Sequence, residues 1–174
     1  MWNSRGLRGS TFENLINITN DVYRKKNLAI IQKTPTPITP VKLEGKNITL
    51  AYFDQKSTVD YIGVVQGIAV CFDAKETGQK SLPIQNIHAH QIAFMNDFEK
   101  QRGLAFLLVH FTFCDEYFYL PFTTLNEFWN GAVNENKRKS IPYDAFDRRY
   151  LIRYGGGSIL DYLSAVNIYL VERE

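Results

Sequence analysis

Apolar residues recur at helical spacing close to the start of the chain. Phe12, Leu15, Ile16 and Val22 form an approximate stripe within residues 10–26, which predicts a first helix there. Similar patterns predict further helices over residues 86–102, 122–130 and 158–174. Helical segments are therefore expected at both ends of the chain and twice in between.

Shorter apolar and β-branched runs separate these helices and predict strands. They cover residues 28–32, 47–53, 58–75, 104–111 and 116–122, and the run at 58–75 is interpreted as a hairpin. Residues 33–43 contain three prolines within six positions, which exclude a helix or a central strand and predict an extended, exposed segment. The order of elements predicts an α/β fold, in which a mixed central sheet is flanked by helices on both faces.

The size and composition of the chain limit what it can be. A length of 174 residues is enough for one hydrophobic core, so we expect a single domain over residues 1–174. No apolar run approaches the roughly 18 residues of a membrane helix. The start of the chain shows no apolar signal segment, so we expect a cytoplasmic protein with no membrane partner. Cys71 and Cys114 are expected to be buried thiols.

The predicted hairpin places charged side chains together at its open end. If Gln66 and Gly67 form a two-residue turn, Asp60 lies opposite Asp73, and opposed residues share a face of the sheet. Lys75 shares that face because side chains alternate along a strand. Two adjacent carboxylates repel unless a cation lies between them, and magnesium prefers such oxygen ligands. The pattern favours a magnesium site, although acids and lysines at strand ends are also common as solvated surface residues.

Charge is distributed unevenly along the chain. Residues 1–50 hold eight Lys or Arg against three acids, and residues 137–153 hold six against two. Residues 51–136 hold five against ten. An acidic centre between basic segments is what a metal-dependent enzyme acting on a polyanion needs. Ordinary scatter of surface charge is the alternative explanation.

Five collinear motifs give the chain a recognisable pattern. They are RGSTFENLINITN (8–20), QKTPTPITPV (32–41), AYFDQKSTVDY (51–61), FDAKET (72–77) and NIHAHQ (86–91). In order and spacing they resemble the RecU family of bacterial and phage Holliday-junction resolvases, and the similarity continues through RKSIPYDAF (138–146). The resemblance implies a restriction-endonuclease-like fold with a projecting stalk at about 33–53. It also implies a homodimer that makes symmetric nicks across four-way junction DNA with magnesium, which manganese can replace, and it admits recombination proteins as partners.

The resemblance assigns roles to individual residues. It implies metal binding by Thr58, Asp60, Asp73 and Gln91. Asp60, Asp73 and Lys75 are the implied catalytic residues, with Lys75 stabilising the transition state. Glu13 joins them as an acid that related nucleases bring near the metals. The family usually has glutamate where this chain has Asp73, so the carboxylate here is one methylene shorter.

Basic and aromatic residues are the candidates for DNA contact. They are Arg8, Lys33, Lys42, Lys46, Tyr52, Phe53, Lys137, Arg138 and Lys139. Contacts with phosphates set affinity but carry no sequence information. Tyr52 and Phe53 can stack on unpaired bases at a junction, or they can be core aromatics.

The predicted function is a structure-selective DNA endonuclease of homologous recombination and DNA repair. Two alternatives stay open: a non-catalytic junction-binding protein, and a related nuclease with another substrate. One chain supplies one acid pair and has no internal repeat, so paired nicks require two chains and a homodimer is expected. Strands 104–122 and the C-terminal helix are the candidates for its interface.

Overall fold

The computed structural model describes residues 11–53, 58–154 and 159–173, and its centre is a six-stranded mixed sheet. The strands within these ranges are β1 (Ala29–Lys33), β2 (Ile38–Glu44), β3 (Asn47–Phe53), β4 (Tyr61–Val65), β5 (Ile68–Thr77), β6 (Ser81–Pro83), β7 (Leu104–Phe111), β8 (Glu116–Pro121), β9 (Ser140–Pro142) and β10 (Leu151–Ile152). The central sheet has the order β1-β4-β5-β7-β8-β10. Its β5–β7 pair is parallel, and its other pairs are antiparallel.

Helices cover both faces of this sheet. They are α1 (Phe12–Lys25), α2 (Ala89–Lys100), α3 (Phe122–Asn134) and α4 (Tyr162–Arg173). Side chains from α1 and α4 share one buried cluster with one face of the strands, and side chains from α2 and α3 share a second cluster with the opposite face. The predicted mixed sheet between helices is therefore confirmed.

The predicted hairpin is present with the predicted register. Val65 pairs with Ile68, and Gln66 and Gly67 form the turn with φ angles of 46° and 90°. A positive φ is strained for a residue with a side chain. Gln66 is held there because its Nε2 donates to the carbonyl oxygens of the α1–β1 connection, Asn27 at 2.8 Å and Leu28 at 3.1 Å.

Strands β2 and β3 form a separate two-stranded ribbon, which we call the arm (residues 38–53). Its large apolar side chains are exposed, with Leu43 62% and Tyr52 55% accessible. The start of the predicted stalk was placed too early: Lys33 belongs to β1, where it pairs with Tyr61 of the central sheet. Thr34 also stays with that sheet, because its N–H donates to the Asp60 carbonyl at 2.8 Å. The extended, exposed character of the proline-rich segment is confirmed.

The predicted dimer interface on strands 104–122 is wrong. Nearly every residue of β7 and β8 is buried within this chain's own two clusters, so these strands have no apolar surface left for a partner. The prediction for Cys114 is also wrong, since it is exposed in the turn between these strands; Cys71 is buried as predicted. In the described ranges, no helix is long and apolar enough to cross a membrane.

Candidate active site

Asp60 and Asp73 meet at the open end of the β4–β5 hairpin. The strand ladder ends with Tyr61 opposite Phe72, so the two acids are the next opposed pair. Each carboxylate accepts a backbone N–H from the other strand. Asp60 N–H donates to Asp73 Oδ1 at 2.8 Å, and Ala74 N–H donates to Asp60 Oδ2 at 3.1 Å. This reciprocal bonding fixes both carboxylates at one place.

Lys75 and Gln91 complete the group around Asp73. Lys75 Nζ lies 2.6 Å from Asp73 Oδ2, and Gln91 Nε2 donates to the same oxygen at 2.6 Å. Asp73 and Gln91 are buried. Asp60 is only partly buried, and the Lys75 side chain keeps 15% of its surface accessible. Asp60 and Lys75 are therefore the members of this group that a substrate can reach.

The start of α2 positions the Gln91 carboxamide. Gln91 Oε1 accepts the N–H of His88, the N-cap residue, at 3.1 Å, which is half of a capping box. The same oxygen accepts from Lys75 Nζ at 3.4 Å. Two donors at this oxygen and an acceptor at Nε2 define the orientation of the amide. The sequence did carry a signal for this contact, since a Gln three residues after a polar helix-start residue is the capping-box spacing.

The electrostatics of the acid pair favour a bound cation. Burial, followed by the charge of Asp73, raises the pKa of Asp60 to about 6. The hydrogen bond from Ala74 N–H and the charge of Lys75 act in the opposite direction. One ammonium faces two carboxylates, so the group carries excess negative charge when both acids are ionised.

The residues present fit a hard divalent ion. Asp73 Oδ1 and Asp60 Oδ2 each accept one hydrogen bond in the interactions described above, so each retains a lone pair for a metal. Thr58 is half-buried two positions before Asp60. Within the described part of the chain, no cluster of three or more His, Cys, Asp or Glu could hold an ion. A cation here would therefore need neutral oxygen ligands or water beside the two acids, which is usual for magnesium.

Glu13 lies on the other face of the sheet. Its carboxylate forms an ion pair with Lys33, and with Ala74 it lines a cavity of about 370 Å³ beside α1. Asp73 and Lys75 flank Ala74 in β5, so their side chains point to the opposite face. The structure therefore separates Glu13 from the acid pair. Lys33, a candidate DNA contact, forms an ion pair with Glu13 within the chain.

Comparison with known families decides what kind of protein this geometry belongs to. A family model described as RecU, Recombination protein U, matches residues 7–168. The chain belongs to the RecU family.

Individual relatives agree with this assignment. The Holliday junction resolvase RecU of Lactococcus lactis subsp. cremoris (strain MG1363) is 48% identical over 143 residues, which are 79% of this chain and 66% of that protein. The Holliday junction resolvase RecU of Oceanobacillus iheyensis is 42% identical over 167 residues, 92% of this chain and 85% of that protein. A solved structure of the resolvase Hjc from Archaeoglobus fulgidus matches with a TM-score of 0.37 and 8% identity, over 62% of this chain and 72% of that one. That similarity is too low to support any conclusion.

Part of the candidate DNA surface of this RecU family member lies on the arm. Lys42 and Lys46 are exposed there, and Lys42 pairs with Glu44 at 3.3 Å. Tyr52 is exposed, so the core alternative is wrong for this residue. Arg8 and the side chain of Phe53 lie outside the described part of the structure.

The other part of the candidate surface precedes and enters β9. Lys137, Arg138 and Lys139 are exposed. Lys137 pairs with Glu135 at 2.5 Å. The Lys139 carbonyl accepts the N–H of Ile84 at 3.0 Å, which extends the β6–β9 pairing. The basic segment is thereby attached to the stretch of chain between β5, which carries Asp73 and Lys75, and α2, which carries Gln91.

Proposed function

We propose that this chain is a structure-selective, metal-dependent endonuclease that resolves four-way DNA junctions by symmetric paired nicks. The observation that carries the proposal is the opposed pair of Asp60 and Asp73, with Lys75 bonded to Asp73. Membership of the RecU family supports the substrate class, because the relatives bear the name Holliday junction resolvase. The chain spans 66% of the Lactococcus relative, so activity and substrate belong to the proposal.

Magnesium, which manganese can replace, is the proposed cofactor. When bound, a divalent ion offsets the negative charge of the phosphodiester and lowers the pKa of a water molecule. Asp60 and Asp73 would hold it through carboxylate oxygens, with Thr58 beside them. The raised pKa of Asp60 supports this assignment, because a cation relieves the repulsion that raises it.

Lys75 is the residue that we assign to the reacting phosphate. Its ammonium is partly exposed, and its position is set by Asp73 and Gln91. A fixed positive charge next to developing negative charge lowers the barrier to reaction. Gln91 acts from behind as a positioning residue, since binding a metal would require its oxygen to release its contacts with Lys75 and His88.

DNA binding is proposed for the arm and for residues 137–139. Both carry exposed basic side chains, of which Lys42 and Lys137 also form ion pairs with Glu44 and Glu135. The arm projects Lys46 at its turn, next to Gly45 with φ 63°. Tyr52 adds an exposed aromatic face for stacking on an unpaired base. Such a surface binds backbone and unpaired bases, and so favours branched DNA over a regular duplex.

A cleavage assay with matched DNA substrates tests the proposal. The chain is incubated with a synthetic four-way junction and with a linear duplex of the same sequence, each with magnesium or with EDTA. We expect nicks in two opposed strands of the junction, only with magnesium. Junction binding without cleavage would instead support the non-catalytic alternative, in which the shorter Asp73 has removed activity. Equal cutting of duplex would support a nuclease with another substrate.

A further inference from the structure

We propose that His88 and His90 bind backbone phosphates of the DNA strand that enters the acid site. This inference rests on the proposed function and extends it to two residues to which the chemistry gives no role. The three observations that carry it are the link from His88 to Lys75, the geometry of the two rings, and the basic ribbon that adjoins them.

The link from His88 to the acid site runs through its main chain. The backbone N–H of His88 and the Lys75 ammonium donate to the same atom, Gln91 Oε1, at 3.1 and 3.4 Å. Lys75 in turn lies 2.6 Å from Asp73. His88 is therefore one shared oxygen away from the residue that we assign to the reacting phosphate. Successive phosphates of a strand lie only a few ångströms apart, so the next phosphate falls within reach of this part of α2.

The two rings form an accessible unit. Their centroids are 5.4 Å apart with an interplanar angle of 11°, and His88 is exposed while His90 is half-buried. An imidazole carries at least one N–H donor in either protonation state, so it can donate to a phosphate oxygen without a change of charge.

Basic residues continue the surface beyond the histidines. Strands β6 and β9 pair just before α2 begins, and this small ribbon attaches the basic segment 137–139 to the approach to His88. The Lys139 carbonyl accepts from Ile84, and the Lys80 carbonyl accepts from Tyr143 at 3.1 Å. Lys80 thus joins the same ribbon and is itself exposed. In the proposed path, the DNA strand crosses this ribbon and the two rings before it reaches Lys75.

Single variants test the contribution of the two rings to binding. His88→Asn and His90→Gln each remove an imidazole and keep the backbone N–H of residue 88 that donates to Gln91 Oε1, and Asn is itself a favourable N-cap residue. We expect each to raise the KM for junction DNA by roughly 10-fold, the scale of one hydrogen bond to a charged group, with little change in kcat. Lys100→Gln is the matched control: it changes an exposed residue at the far end of the same helix and should leave both constants unchanged.

A second measurement separates phosphate contact from a structural role. Junctions carrying one neutral methylphosphonate at positions flanking the cut are compared for wild type and each variant, by binding affinity and by cleavage. At the contacted phosphate, the modification should lower the junction affinity of wild type by roughly 10-fold. The affinity of the variant that lacks the contacting histidine should not fall any further. The unfolding temperature of each variant should match that of wild type. If one variant does not fold, the other variant still tests the inference.

The outcomes separate this inference from the proposed function. Losses that add at every modified phosphate, or variants with unchanged affinity, would overturn the role of the histidines while leaving cleavage by wild type intact. Absence of cleavage by wild type would instead contradict the proposed function. The binding arm still reports on His88 and His90 in that case, because it requires no cleavage.

Discussion

At the scale of single residues, Asp60 allows the metal site to be tested through stability alone. Burial and Asp73 raise its pKa from an ordinary 3.8 to about 6, so the folded metal-free protein binds this proton more tightly than the unfolded chain does. The free energy of unfolding should therefore fall as pH rises through that interval, and a bound cation should restore it.

Asp60→Asn removes the charge and keeps an oxygen for the Ala74 N–H. At pH 7 in EDTA, we expect its unfolding temperature to exceed that of wild type, because the repulsion with Asp73 is gone. Magnesium should raise the unfolding temperature of wild type but not that of the variant. Equal magnesium shifts in the two proteins would show that Asp60 does not bind the ion.

Lys75 should affect chemistry more than binding. Its ammonium is held on the substrate side of Asp73, so Lys75→Ala should lower the single-turnover cleavage rate by roughly 10²-fold, the scale of one lost transition-state donor. Junction affinity, measured by fluorescence anisotropy, should stay close to that of wild type. Lys100→Ala provides the control for loss of a surface lysine. If the defect appears only as weaker affinity, Lys75 anchors a phosphate and does not assist the reaction.

At the scale of elements, the hairpin with a clear residue pattern is predictable from the sequence, whereas the very short strands are not. The hairpin follows from an apolar, β-branched run broken by Gln66-Gly67, so the opposition of Asp60 and Asp73 can be counted back from that turn. Strands β6, β9 and β10 have two or three residues each, too few for a periodic pattern. The contacts of Gln91 with Asp73 and Lys75 do not follow from a local pattern, because they depend on how α2 meets the sheet.

Errors at this scale had a common physical cause. The aromatic-rich strands β7 and β8 are candidates for a dimer interface from sequence, but two layers of helices cover both of their faces. Lys33 was assigned to the arm because prolines follow it, whereas pairing with Tyr61 keeps it in the central sheet. In both cases, tertiary pairing decided the outcome and local pattern did not.

The arm should control substrate choice without supporting the fold. Its strands contribute no buried side chain among the described residues, so replacing its tip, residues 42–49, with a short turn should leave the unfolding temperature unchanged. We expect the ratio of junction affinity to duplex affinity to fall. Lys42→Gln with Lys46→Gln is the matched control that retains the arm and removes only its charge. An unchanged ratio after tip replacement would remove the arm from junction recognition.

At the scale of the whole molecule, paired nicking requires two copies of a chain that has one acid pair. We therefore expect a homodimer, and its apolar contacts must come from surfaces that the fold leaves open. Exposed candidates are Ile30 and Val64 on β1 and β4, and Ile168 and Val171 on α4, besides the apolar side chains of the arm. Sedimentation should give a mass twice the 20.1 kDa of one chain at micromolar concentration. A single-chain mass with and without junction DNA would contradict the dimer.

The role of the acid pair is decided by magnesium-dependent cleavage of a four-way junction by Asp60→Asn and Asp73→Asn, with junction binding measured on the same samples. We expect both variants to bind the junction at least as tightly as wild type, since repulsion between acids and phosphate is reduced, and neither to make nicks above background. Cleavage by either variant at a rate comparable to wild type, at saturating magnesium, would show that the opposed acid pair is not the catalytic centre.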